Sequence, residues 1–318
     1  MLNRFRARMM LALAPAALCW TGCAGGAGSS FPAVAAAGAQ AGVASTLAAR
    51  AARSGTQAQA TTYIYACQPY TSDCLVYDAN GNLLKTVSKH TDEPLGITAD
   101  PDGNLYVARE DTEEVAVYSP GMASGSRVLH TGKDVALDVA VHGETVAVAD
   151  QHAVTVFEPG ATKPSRRLTD PDVLQGSGIA FDSKGNCYWS LVSQTSGGRI
   201  DEFAGCAGSP QALAITGFPA GLAFDGSDNL YFANDTFDAS AGVYKCAGVA
   251  NCVAVYGQDT NPTFIKFDKG WKDLYVSGMG APTVTEISIA TGSIVQTISQ
   301  GLSSSNPPFG IAVGPGAR

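Results

Sequence analysis

Pro94-Leu95-Gly96-Ile97-Thr98-Ala99-Asp100-Pro101-Asp102-Gly103-Asn104-Leu105-Tyr106-Val107-Ala108 is the stretch whose reading decides the fold. A short apolar strand ends in an aspartate, a Gly-Asn turn follows, and a second apolar strand returns. Gly and Asn accept the positive φ that tight hairpins require, so the segment reads as two antiparallel strands. Its first half recurs as Ser177-Gly178-Ile179-Ala180-Phe181-Asp182, Ala220-Gly221-Leu222-Ala223-Phe224-Asp225 and Thr263-Phe264-Ile265-Lys266-Phe267-Asp268. Weaker copies stand at Leu137-Asp138-Val139-Ala140-Val141 and Phe309-Gly310-Ile311-Ala312-Val313. Six copies at intervals of roughly 40 to 46 residues match a propeller blade rather than a leucine-rich or ankyrin repeat.

Further strands follow each copy. Cys187-Tyr188-Trp189-Ser190 and Leu230-Tyr231-Phe232-Ala233 read as second strands, and Val115-Ala116-Val117-Tyr118 and Val154-Thr155-Val156-Phe157 as third strands. The expectation is an all-β, six-bladed β-propeller with four-stranded blades. After the linker, Tyr63 to Ala66, Leu75 to Asp78 and Leu83 to Val87 supply only the second, third and fourth strands of a blade. The missing inner strand is assigned to Gly310 to Val313, so that the two ends of the domain share one blade and leave no exposed edge.

Residues 1–22 read as a signal peptide: Arg4, Arg6 and Arg8 form a positive n-region, and the apolar run Met9 to Leu18 is too short to span a bilayer. Trp20-Thr21-Gly22-Cys23 resembles the bacterial lipobox, which implies a diacylglycerol on Cys23 as the mature N-terminus. Trp20 departs from the Leu, Val or Ile of that pattern, and an ordinary secretory cleavage near Ala24 is the alternative. Residues 23–60 are rich in Ala and Gly with few large apolar side chains, which makes them a tether. Residues 61–318 hold the propeller.

Of eight cysteines, setting aside Cys19 and Cys23 leaves six in three local pairs. Cys67 with Cys74, Cys187 with Cys206, and Cys246 with Cys252 are expected as disulfides in an oxidising compartment, because none has the C-x-x-C spacing of a zinc or redox site. Net charge is −8, and removal of the three signal arginines takes it to about −11. That sign excludes phosphate-backbone binding, so nucleic acid is not an expected partner.

The form Pro-x-Gly-Ile-x-x-Asp-x-x-Gly-Asn-Leu-Tyr-Val-Ala, clearest in Pro94 to Ala108 and Pro219 to Ala233, resembles the NHL-repeat and gluconolactonase-like six-bladed propellers. The resemblance implies architecture more than activity, since that superfamily contains lactonases, lyases, receptor modules and scaffolds. In the metal-dependent enzymes among them, oxygen ligands stand just before the glycine that opens an inner strand. Leu95, Leu137, Ser177, Ala220, Thr263 and Phe309 occupy those positions, and none is a carboxylate or amide. Neither metal nor cofactor is expected.

The Asp-x-x-Gly-Asn turns read as hairpin devices rather than calcium loops, because they recur from blade to blade. Positions that differ between blades are the ends of the second strands, Cys67, Arg109, Asp150, Leu191, Asn234 and Gly278, and the loop residues after them. From these, Arg109, Glu110, Asp150, His152, Asn234 and Asp235 are the candidate binding rim. His152, two residues after Asp150, is the nearest thing to a base with an orienting carboxylate. No Gly-x-Ser-x-Gly elbow, His-Glu-x-x-His or phosphate-binding glycine loop accompanies it. His90, His130 and His142 fall in predicted connections. The functional expectation is a noncatalytic ligand- or protein-binding propeller held at the cell envelope through its N-terminal lipid. A lactonase- or lyase-type enzyme with a nonstandard site and a structural component of an envelope complex are the alternatives.

Overall fold

The computed structural model describes residues 62–315, apart from 89–90, 133, 216, 237, 258–260 and 281. The expected signal peptide, the Cys23 lipid site, the 23–60 tether and His90 lie outside the described residues. The first strands among the described residues are β1 (Thr62–Gln68), β2 (Asp73–Tyr77) and β3 (Leu83–Val87). Then come β4 (Pro94–Ala99), β5 (Leu105–Arg109), β6 (Glu114–Tyr118) and β7 (Gly125–His130), followed by β8 (Ala136–His142), β9 (Thr145–Asp150), β10 (Val154–Phe157) and β11 (Arg166–Leu168). Next are β12 (Val173–Phe181), β13 (Cys187–Ser193), β14 (Gly197–Phe203) and β15 (Gln211–Ala212), then β16 (Pro219–Phe224), β17 (Leu230–Asn234), β18 (Gly242–Ala247) and β19 (Ala250–Tyr256). The last are β20 (Pro262–Phe267), β21 (Asp273–Gly278), β22 (Val284–Ser288), β23 (Ile294–Ile298) and β24 (Gly310–Pro315).

These strands form six antiparallel sheets of four, the blades of a β-propeller. Blade 1 has the order β24-β1-β2-β3, and blades 2 to 6 each take four consecutive strands. The register Cys67↔Gly310, Tyr65↔Ala312 and Tyr63↔Gly314 closes the ring with the last strand of the chain, as the sequence predicts. Inner strands β24, β4, β8, β12, β16 and β20 adjoin one another in that circular order, which puts blades 3 and 6 on opposite sides of the axis.

Local chemistry sets each hairpin. The Asp100 carboxylate accepts the N–H groups of Asp102 (3.0 Å) and Asn104 (2.8 Å) and the Asn104 side-chain amide (2.8 Å). Asp182 and Asp225 repeat the arrangement with Asn186 and Asn229. A carboxylate that absorbs turn donors in this way fixes the turn without an ion. The recurrent tyrosine one strand later leans back on the same aspartate, at 3.4 Å for Tyr106, 3.3 Å for Tyr188 and 3.4 Å for Tyr231.

The glycine that opens an inner strand has a different cause. A Cβ on Gly96 would stand 2.5 Å from the Asp138 Cα, and one on Gly310 would stand 2.0 Å from the Leu95 carbonyl oxygen. At four of the six copies, Gly96, Gly178, Gly221 and Gly310, the adjacent inner strand approaches too closely for a side chain, which is why glycine stands there. Apolar cores lie between the blades. Between blades 3 and 4, for example, Trp189, Phe203 and Ile179 are fully buried with Ala147 and Val156. Truncating a tryptophan in such a place costs about 3–5 kcal/mol.

Candidate functional site

The upper face of the ring carries the loops that lead into the inner strands and those that join second to third strands. On blade 2, Arg109 at the end of β5 is buried, donates from Nη1 to Asp92 at 2.9 Å and donates from Nη2 to Glu114. Glu114 also faces His130 Nδ1 at 3.0 Å. The Glu110 N–H donates to the Glu93 carbonyl at 3.1 Å. Burial pushes the Glu93 carboxyl up to about 7, helped by the negative charges of Asp111 and Glu110.

On blade 3, Asp150 at the end of β9 is fully buried, accepting from the Thr155 hydroxyl and from Arg167 Nη1 at 3.2 Å. Burial pushes its carboxyl up to about 8 in spite of both bonds. His152 turns instead to Asp134: its Nδ1 lies 3.2 Å from Asp134 Oδ1, and its backbone N–H donates to Oδ2 at 3.0 Å. The spacing in sequence suggests Asp150 as the carboxylate orienting His152, and the incoming loop supplies Asp134 in its place. Arg167 Nη2 donates to Asp134 at 2.8 Å and so ties that loop to the blade.

Blade 4 repeats the device at a position the sequence does not single out. Arg199 on β14 meets Asp170 at 2.6 Å, Asp172 at 3.0 Å and Asp201 at 2.9 Å. Asp172 takes the Ser193 and Thr195 hydroxyls as well. Burial pushes the Asp201 carboxyl up to about 6. Each of three adjacent blades thus uses one guanidinium to join a carboxylate on the incoming loop to a carboxylate on a strand. Blades 2 and 4 keep a surplus of carboxylates around their arginine, whereas on blade 3 burial favours the neutral form of Asp150.

Blade 5 uses an amide. Asn234 at the end of β17 is buried, accepts the Phe218 N–H at 2.8 Å and donates to the Ser240 carbonyl at 2.7 Å. Its neighbour Asp235 is 5% exposed, and neither carboxylate oxygen has a hydrogen-bond partner. Burial alone pushes that carboxyl up to about 7. The remaining second-strand ends are occupied by the Cys67–Cys74 disulfide, by Leu191 in the core, and by Gly278 against the Asn261 carbonyl. The candidate rim residues therefore lie on one face, spread over three blades, with Arg109, Asp150 and Asn234 engaged in holding loops.

A second constellation lies on the axis. Asp138 and Phe264 replace the opening glycine in blades 3 and 6, the two that face each other across the ring. Asp138 is fully buried; its Oδ2 accepts the Ile179 N–H at 3.1 Å and lies 3.6 Å from Lys266 Nζ, while its Oδ1 has no partner. Burial raises the Asp138 carboxyl above the ordinary aspartate range. The signal in sequence is the loss of glycine in just two of six copies, which reads as weak repetition until the ring closes.

Disulfides join Cys67 to Cys74, Cys187 to Cys206 and Cys246 to Cys252, the pairs that the spacing predicts, and they suit an oxidising compartment. Among the described residues, no group of three or more His, Cys, Asp or Glu is arranged to hold a metal ion, and no helix is long and apolar enough to cross a membrane. No protein-family model matches the chain, and no curated protein does. Among solved structures, the chain is similar in fold to a propeller of the nidogen/laminin complex, at 18% identity and a TM-score of 0.64, over 79% of this chain and 98% of that one.

Proposed function

We propose that this chain is a noncatalytic, protein-binding propeller of the NHL-like kind, held outside the cytoplasm by a lipid on Cys23, and that the upper rim of blades 2 to 4 receives the partner. The observation that carries the reading is the state of that rim. Its arginines are already neutralised by carboxylates of their own blades, and around blades 2 and 4 the carboxylates outnumber them: Arg109 meets Asp92 and Glu114 with Glu110 and Asp111 following it in the chain, and Arg199 meets Asp170, Asp172 and Asp201. A surface ordered in advance loses little side-chain entropy on docking. Surplus negative charge selects a basic partner and accelerates its approach. The similar fold in a protein complex is in keeping with this use.

Photocrosslinking residues placed at Glu110, Asp111 and Asp172, with Asp102 and Lys184 on the opposite face as controls, test the proposal in cells. The expected result is a discrete adduct with a basic extracytoplasmic protein from the upper positions alone, weakening as salt rises from about 50 mM to about 500 mM. Adducts confined to the lower face, or lactone hydrolysis by the purified protein, would overturn it.

A further inference from the structure

Two residues beyond the ring of glycines, six equivalent inner-strand positions line a cavity of about 560 Å³. Its wall also includes the first-hairpin residues Asp100, Pro101, Asp268 and Lys269, so it opens on the lower face, opposite the rim described above. Five of the six positions are small, Thr98, Ala140, Ala180, Ala223 and Ala312, and the sixth is Lys266. A lysine in a ring of small residues is not a packing solution that the repeat requires. It places a single cation where five blades leave space.

The wall around this cation is aromatic. Phe181, Phe224, Phe267 and Trp271 all line the cavity, and Trp271 is 51% exposed although its ring packs over Gly226 of the neighbouring blade. The mouth carboxylates are committed elsewhere: Asp100 holds its own turn, and Asp268 accepts the N–H groups of Lys272 at 2.7 Å and Asp273 at 3.1 Å. Lys269, exposed at the mouth, adds positive charge. Small-molecule sites have this character, a concave apolar space of several hundred Å³ with a few placed polar groups.

We propose that the lower mouth binds a small organic carboxylate bearing an aromatic or apolar ring, with the anionic group on Lys266 and the ring among Phe181, Phe224, Phe267 and Trp271. Asp138 positions the lysine from the opposite blade and shields it from solvent on its upper side. Burial works against the charge on Asp138, which weakens its hold on the Lys266 charge that a second anion would meet. Nothing in this assignment depends on what docks at the upper rim.

Calorimetric titration of the purified full chain with benzoate, phenylacetate and cyclohexanecarboxylate, each beside its carboxamide, tests the site. At least one acid should bind saturably at a single site, about tenfold or more tightly than its amide. Lys266→Met should erase the preference for the acid, and Trp271→Ala should weaken acid and amide by the same factor. If Lys266→Met does not fold with Asp138 left alone, Lys266→Met with Asp138→Asn removes the lysine and the ionisable carboxyl together and is read in the same way. The proposal fails if no acid binds saturably, if amides bind as well as acids, or if the preference survives the loss of Lys266. An affinity unchanged by Trp271→Ala would likewise refute the placement of the ring.

Discussion

Replacing Asp235 with asparagine should stabilise the protein at neutral pH and do little at acid pH. The side chain is buried at the end of blade 5, neither carboxylate oxygen has a partner, and burial raises the carboxyl from 3.8 to about 7. Between those values the folded protein retains a proton that the unfolded chain has released, so stability is lost as pH rises through that window. A displacement of about three pKa units corresponds to ~4 kcal/mol at the upper end of the window. Asparagine keeps the shape and the polarity of the neutral acid and cannot ionise. Differential scanning calorimetry of both proteins at unit steps from about pH 4 to about pH 8 should show a Tm gap that widens with pH. For a domain of this size the gap should reach roughly 8 °C or more by about pH 8, at about 2–4 °C per kcal/mol. Most of the widening should come below about pH 7, after which Asp235 is ionised in both states. A gap that is constant over the range, or that narrows as pH rises, would refute the assignment of Asp235 as an unpaired buried carboxyl.

Three other outcomes are expected. Cys23→Ser should abolish palmitate labelling and detergent partitioning of the expressed chain, and labelling that persists in the variant would end the lipoprotein reading. Gly96→Ala puts a methyl group 2.5 Å from the Asp138 Cα and should cost about 2 kcal/mol or more in a urea melt. Gly125→Ala, which meets no atom within 4 Å, should change stability by less than about 0.5 kcal/mol in the same melt, and equal effects would sink the close-approach account of the inner-strand glycines. Arg199→Met leaves Asp201 buried without its cation and should cost about 3 kcal/mol near neutral pH. That loss should shrink as pH falls towards about 6, because the buried carboxyl, held down by Arg199 in the parent protein, takes up its proton at a higher pH once the cation is gone; a loss independent of pH would argue against the Arg199–Asp201 pairing.

The blades and the three disulfides are legible in the sequence because each is a local event. The first hairpin of a blade needs an apolar strand, a tight turn such as Asp-x-x-Gly-Asn and a return strand, all within about fifteen residues, and Cys246 and Cys252 face each other across another short hairpin, between β18 and β19. Ring closure by Gly310 to Val313 was also legible, since the first blade lacks a strand that the last segment matches. The same repeat alignment puts the candidate rim residues together on one face. Their partners were not, because Asp134, Asp170 and Asp172 arrive on incoming loops that carry no repeat pattern.

What the sequence by itself determined is the architecture: six copies of one motif, each unable to bury its apolar faces alone, leave a closed ring as the arrangement that covers them all. What only the tertiary structure decided is the environment of individual polar groups. Whether Asp150 and Asp235 are exposed rim charges or buried carboxyls depends on how neighbouring loops fold over them. That Lys266 of blade 6 faces Asp138 of blade 3 depends on the whole ring closing, because the two positions are far apart in the chain and meet only across the axis. Repetition encodes what each blade does within itself, whereas desolvation and ion pairing are set by what the closed ring brings near.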